Sequence, residues 1–120
     1  MKRMLLIVSL TLSASICGLA ADIAGNWKAT ADGPNGPMER TFIFHVDGDK
    51  LTGETVSSFL GKSEIQDGLV KGDDVTFRIT ADFQGDKMEI LYKGKVVSDN
   101  EIKFVSEAGD NQFQWDARRQ

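Results

Sequence analysis

Short runs of alternating apolar and polar residues, separated by turn signals, fill the chain from residue 25 to residue 119. Phe42, Phe44 and Val46, for example, occupy every second position, which is the pattern of a strand with one buried face. The pattern predicts eight strands, over residues 23–31, 37–47, 50–58, 62–71, 74–82, 87–97, 100–107 and 112–119. The strand over 62–71 is the least regular, because its apolar residues do not share one parity and Gly68 indicates a bulge.

Eight consecutive short strands predict an all-β fold, an eight-stranded antiparallel up-and-down β-barrel. Compact turns at 47–49, 71–73 and 98–100 fall at one end of this barrel, together with both of its chain ends. Longer, glycine-rich loops at 32–37, 58–61, 83–86 and 108–111 fall at the other end, which we call the looped end. An eight-stranded barrel is either just filled by side chains or able to hold one small ligand, and the sequence leaves both possibilities open.

Residues 1–21 have the layout of a secretory signal peptide. Lys2 and Arg3 form a basic start, residues 4–19 are apolar or small, and Ala20 or Ala21 provides a cleavage site. We therefore expect a single domain over residues 22–120 in a bacterial periplasm or outside the cell, with no membrane span in the mature chain. The alternatives are a retained anchor, for which the apolar run is marginal in length, and a lipoprotein signal at Cys17.

Cleavage would leave an acidic chain without cysteine. Losing Lys2 and Arg3 changes the formal net charge from −4 to −6, and the absence of a basic run argues against binding to nucleic acid. His45, the single histidine, falls on the outward phase of its strand. Without Cys/His metal spacing or a hydrolase-type serine motif, the sequence predicts no enzyme activity, no metal site and no cofactor.

Large rings from most strands share the inward phase and predict an aromatic floor inside the barrel: Trp27, Phe42, Phe44, Phe77, Tyr92, Phe104, Phe113 and Trp115. Toward the looped end the inward residues become small or polar: Met38, Arg40, Thr55, Ser57, Ala81, Ser106 and Asn111. We predict a shallow cup there, in which Arg40 binds an anionic head group with Thr55, Ser57 and Tyr92 among the contacts. In the alternative interpretation, Arg40 extends to solvent or pairs with a neighbouring carboxylate.

The loop at 58–61 contains two apolar residues, Phe59 and Leu60, in polar surroundings. An exposed apolar loop tip is typical of an anchor for a protein partner. The sequence therefore leaves three functions open. The chain is a binding barrel for a small apolar or amphipathic ligand, a protein-interaction module such as an inhibitor of a secreted enzyme, or a structural envelope domain without ligand. It does not determine the oligomeric state.

The first and last predicted strands carry a family signal. Gly25-Asn26-Trp27, the hairpins that follow it and Arg118 or Arg119 near the end resemble the calycins, the group of lipocalin and avidin barrels. The turn over 47–53, followed by Ser57 on the next strand, also resembles avidin-like barrels. The resemblance implies that Trp27 lies at the closed end of the barrel beneath a late-strand arginine, a favourable cation–π contact.

The chain also differs from these families at the positions that define their ligands. Biotin-binding barrels carry several tryptophans at the mouth and an early asparagine, whereas this chain has Trp27, Trp115 and Ala29. Secreted bacterial inhibitors of metalloproteases are another similar barrel with Gly-x-Trp near the start, but they normally keep a disulfide. The resemblance therefore implies an architecture and does not select a ligand or partner.

Overall fold

The computed structural model describes residues 22–34, 36–57, 61–83 and 85–120; the predicted signal peptide lies outside these residues. They form nine β-segments: β1 (Gly25–Gly33), β2 (Gly36–Asp47), β3 (Lys50–Ser57), β4 (Gly61–Glu64), β5 (Gln66–Lys71), β6 (Asp74–Phe83), β7 (Asp86–Ser98), β8 (Glu101–Ala108) and β9 (Asn111–Arg119). Segments β4 and β5 are one barrel strand interrupted at Ile65, so the barrel has eight strands. None of the described residues belongs to a helix that could span a membrane.

Antiparallel pairing runs around the whole sheet and closes it. Each strand pairs with its neighbours along the chain, and β1 also pairs with β9. The predicted eight-stranded antiparallel barrel is confirmed, with strand ends that lie within two residues of the predicted ones. Closure satisfies the hydrogen-bonding groups that an open sheet would leave at its two edges.

The irregular strand over 62–71 contains the predicted bulge. The pairing of β5 with β6 shifts between Gln66 and Leu69, and Asp67 has a positive φ of 54°. A Cβ on Gly68 would lie 2.1 Å from the Leu51 carbonyl oxygen, so the backbone approach there requires glycine. The bulge changes the inward phase, which is why Ile65 and Val70 are both buried although their positions differ by five, an odd number.

Aromatic rings fill the middle of the barrel. The ring centroid of Phe42 lies 5.3 Å from that of Phe104, 5.5 Å from Tyr92 and 5.7 Å from Phe77, distances typical of packed aromatic pairs. The Phe104 ring lies against Gly94, where a Cβ would approach it to 2.4 Å. The interior is therefore filled at this level, as an aromatic floor predicts, and a ligand has room only above it.

The closed end is held by Arg119. Its guanidinium carbon lies 4.6 Å from the centroid of the Trp27 ring, and its nitrogens donate to the carbonyl oxygens of Asp99 at 2.9 Å, Ala24 at 2.8 Å and Asp22 at 3.0 Å. The Trp27 indole N–H donates to the Ile23 carbonyl at 2.8 Å. Arg119 is thus the arginine expected over Trp27. Its hydrogen bonds connect the last strand with the residues that precede the first strand, Asp22 and Ala24, and with the turn at Asp99.

The looped end is less completely closed. β1 pairs with β9 only from Trp27 to Thr30, although β1 continues to Gly33. On the other side of the barrel, β5 pairs with β6, whereas β4 has ladder pairs only with β3. The looped end of the described structure therefore consists of two facing four-stranded parts, β1–β4 and β6–β9, that are joined along the closed half.

Candidate functional site

Arg40 lies inside the barrel, just above the aromatic floor. It stands on β2 opposite Ala29 of β1, on the same face as Phe42, and only 9% of its surface is exposed. Its Nη1 donates a hydrogen bond to the Tyr92 hydroxyl on the opposite four-stranded part. The guanidinium therefore spans the interior, which agrees with the predicted inward direction and not with the solvent-exposed alternative.

The guanidinium has aromatic neighbours in place of a counter-ion. Its central carbon lies 5.3 Å from the centroid of the Trp115 ring and 5.7 Å from that of Tyr92. Within the part of the chain that the structure describes, no carboxylate forms a salt bridge with Arg40, and its buried Nε has no hydrogen-bond partner. A buried cation without an anion costs several kcal/mol, of which cation–π contacts return about 1–2 kcal/mol.

Trp115 completes the site, although its inward phase alone predicts only a core ring. Its indole N–H donates to the Ser106 hydroxyl at 2.9 Å, which sets the orientation of the ring. Both residues are buried, and they lie on the neighbouring strands β9 and β8. Period-two alternation assigns Trp115 to the interior but does not show that its ring contacts Arg40, because that contact joins strands far apart in sequence.

Tyr92 is the residue at which the floor and the site meet. Its ring stacks on Phe77 with centroids 4.8 Å apart, while its hydroxyl accepts from Arg40. Burial raises the pKa of Tyr92 to about 12, and the opposing effect of the Arg40 charge is smaller. The hydroxyl is therefore neutral at physiological pH and does not serve as the missing counter-ion.

The predicted hydroxyl contacts lie on the strand beside Arg40. Thr55 is 2% exposed and pairs with Phe42, which lies two residues along β2 from Arg40, on the side of the floor. The buried Ser63 pairs in turn with Thr55. Ser57 is half-buried at the end of β3, and continuing the register by one residue from the Thr41–Val56 pair puts it opposite Arg40. The structure thus brings Arg40 and Tyr92 into direct contact and places Thr55 and Ser57 on the adjoining strand.

The sequence also singles out three further residues, of which the structure describes one. Asn111 is exposed, so it is not part of the inward cup; it begins β9, where the strand leaves a turn. Phe59 and Leu60, the predicted partner-binding residues, lie outside the described residues. No group of three or more His, Cys, Asp or Glu side chains within the described ranges is arranged to hold a metal ion.

Comparison with known proteins supports the fold alone. No family model and no curated protein matches the chain. A solved structure of a redesigned β-barrel is similar, with a TM-score of 0.60 and 18% sequence identity over 88% of this chain and 97% of that one. At this identity the likeness shows a small antiparallel barrel and carries no information about a ligand.

Proposed function

We propose that this protein is a non-catalytic binding barrel of the calycin type, exported from a bacterial cell, that holds the anionic head group of a small amphipathic molecule at its looped end. The observation that carries the proposal is the buried Arg40 guanidinium without a counter-ion among the described residues. Groups whose burial lowers stability concentrate at functional sites, where activity requires them. Export and calycin kinship rest on the composition of residues 1–21 and on the Trp27–Arg119 contact.

The geometry favours a carboxylate or phosphate as the head group. Nη1 of Arg40 donates to Tyr92, whereas the buried Nε has no hydrogen-bond partner. Nε and Nη2 carry two parallel N–H groups, the arrangement that binds a carboxylate or phosphate with two hydrogen bonds, and a head group that takes both must displace the side chains that cover Nε. The filled floor excludes deep insertion, so the apolar part of the ligand lies toward the loops, near the half-buried Met38 and Phe113.

A matched set of eight-carbon compounds tests this proposal. Octanoate, octyl phosphate, octanol and octylamine share one chain and differ in the head group, so isothermal titration calorimetry isolates the contribution of charge. We expect octanoate or octyl phosphate to bind more tightly than octanol, and octylamine not to bind. Charge-assisted hydrogen bonds contribute about 1.5–3 kcal/mol each, so the preference is expected to exceed tenfold.

Two arginine variants provide the control. Arg40→Met is expected to remove the preference for the anionic compound, whereas Arg118→Met, which removes an exposed arginine at the closed end, is expected to leave it unchanged. A change in tryptophan fluorescence is expected on binding near Arg40, because the Trp115 ring contacts the guanidinium. Equal affinity of octanoate and octanol, or unchanged binding by Arg40→Met, would remove Arg40 from the site.

A further inference from the structure

The opening between β1 and β9 at the looped end leaves two strand edges without ladder partners. Pairing stops at Thr30 and Asp116, yet β1 continues to Gly33 and β9 begins five residues earlier, at Asn111. Both extensions stay regular because each pairs on its other side, β1 with β2 as far as Gly33 and β9 with β8 as far as Asn111. We call the space between residues 31–33 and residues 111–115 the slot.

The direction of the main-chain groups in the slot follows from two hydrogen bonds at the closed end. Gln120 N donates to Asn26 O across the β1–β9 boundary at 3.0 Å, and Arg119 N donates to Asn100 O on the β8 side at 3.1 Å. Since successive residues of a strand direct their N–H and C=O groups to opposite sides, the even-numbered residues of β9 face β1. Within the described residues, the main-chain groups of Gln112 and Gln114 therefore face the slot without a strand partner.

A cavity lies beside the slot. It has a volume of about 390 Å³ and is lined by residues of both facing strands, among them Ala31 and Asp32 of β1 and Gln114 and Trp115 of β9. The cavity therefore adjoins the three residues of β1 and the five residues of β9 that lack ladder partners on this side.

The β9 side of the slot lacks the features that usually protect a strand edge. Residues 111–115 are Asn-Gln-Phe-Gln-Trp, without a charge or a proline, and no bulge interrupts the pairing of β9 with β8. Natural edges are normally blocked by lysine, proline or a bulge to prevent strand addition. An unblocked edge beside an open cavity favours strand addition.

We propose that the slot binds an extended peptide segment of another protein, as an added strand between β1 and β9. A strand of a second folded copy does not fit this role, because an occupant of the slot needs both of its own edges free. The charge around the slot favours a basic segment: Asp32 has no salt bridge among the described residues, while Lys103 is already 3.2 Å from Glu101 and 3.8 Å from Asp116. The inference is argued from main-chain pairing and not from the proposed small ligand at Arg40, although the Trp115 ring contacts Arg40 and also lines the cavity.

The test uses an acetylated and amidated pentapeptide of alternating valine and lysine, and the same peptide with both lysine amides N-methylated. Methylation keeps the side chains and the charge but removes main-chain hydrogen bonds along one edge. We expect the methylated peptide to bind about tenfold or more weakly, since it loses two hydrogen bonds. Amide NMR shifts on titration are expected to centre on Asp32, Gln112 and Gln114.

Two variants of one residue separate main-chain recognition from side-chain recognition. Gln114→Pro removes an N–H that faces the slot while the β8 ladder is kept, a position at which strands tolerate proline. Gln114→Thr keeps that N–H. We expect the first variant to lose the peptide and the second to keep it.

Three results would overturn the proposal: equal binding of both peptides, which shows attraction by charge alone, absence of binding, or NMR shifts away from the slot. The comparison of the two peptides decides the matter even if Gln114→Pro does not fold. The two proposals have separate readouts, octanoate against octanol for Arg40 and the unmethylated against the methylated peptide for the slot, so failure of one is distinguishable from failure of the other.

Discussion

The most direct test of the site is the stability of variants at Arg40 and Tyr92. A residue kept for binding in spite of its cost should, when replaced together with its partner by apolar groups, leave a more stable protein. Arg40→Met with Tyr92→Phe removes the buried charge and the buried hydroxyl while roughly preserving their volumes. Neither change then leaves a buried polar group without its partner.

The magnitude follows from the contacts. Burying the guanidinium costs several kcal/mol, and the structure offsets this by two ring contacts worth about 1–2 kcal/mol and one hydrogen bond worth about 1 kcal/mol. We expect the double variant to be about 1–4 kcal/mol more stable than the natural protein. Tyr92→Phe alone is expected to destabilise by about 1–3 kcal/mol, because the guanidinium then loses its hydrogen-bond acceptor.

Urea unfolding of four proteins measures the effect: the natural protein, Arg40→Met, Tyr92→Phe and the double variant. The free energies of unfolding are compared among variants whose unfolding has the same slope against urea concentration. A changed slope would indicate a changed unfolded state and not a changed native state. A coupling energy of about 1–3 kcal/mol between the two positions is expected, since each single variant leaves one polar group unpaired. If the double variant is less stable than the natural protein, Arg40 is a structural residue and the argument for an anionic ligand fails.

Two further predictions concern Tyr92 and Arg119. Tyr92 is the single tyrosine, so tyrosinate absorbance should titrate near pH 12 in the folded protein. The folded state holds the Tyr92 proton more tightly than the unfolded state does. The free energy of unfolding should therefore fall by about 2–3 kcal/mol between pH 10 and pH 12 in the natural protein but not in Tyr92→Phe. Titration of the tyrosine near pH 10 would contradict burial of its hydroxyl. Arg119→Lys keeps the charge but loses the guanidinium that donates to three carbonyls, and should lower the free energy of unfolding by about 1–3 kcal/mol. An unchanged melting temperature would show that the closed end does not depend on this contact.

Local patterns along the chain predict much of this fold. Alternation of apolar residues marks the strands, and glycine and aspartate mark the tight turns, because both signals act over a few neighbouring residues. The inward phase of their strands is also sufficient to place Arg40 and Tyr92 inside the barrel, where both are buried. The change of phase at Gly68 can also be predicted from the sequence, because a bulge inserts one extra residue and so shifts the alternation of apolar and polar positions.

Which inward residues meet across the barrel was decided only by the tertiary structure. Arg40 contacts Trp115 and Tyr92 through pairing that joins strands far apart in the chain, and the stagger of those strands is not contained in any local period. The slot beside β9 has the same origin, because the extent of ladder pairing depends on how the closing strands diverge after Thr30. The sequence by itself therefore determined the strands and which way their side chains face. Only the tertiary structure decided that the buried Arg40 lacks a counter-ion among the described residues and that an edge of β9 lies open. These two features depend on the register between strands that are far apart in the sequence.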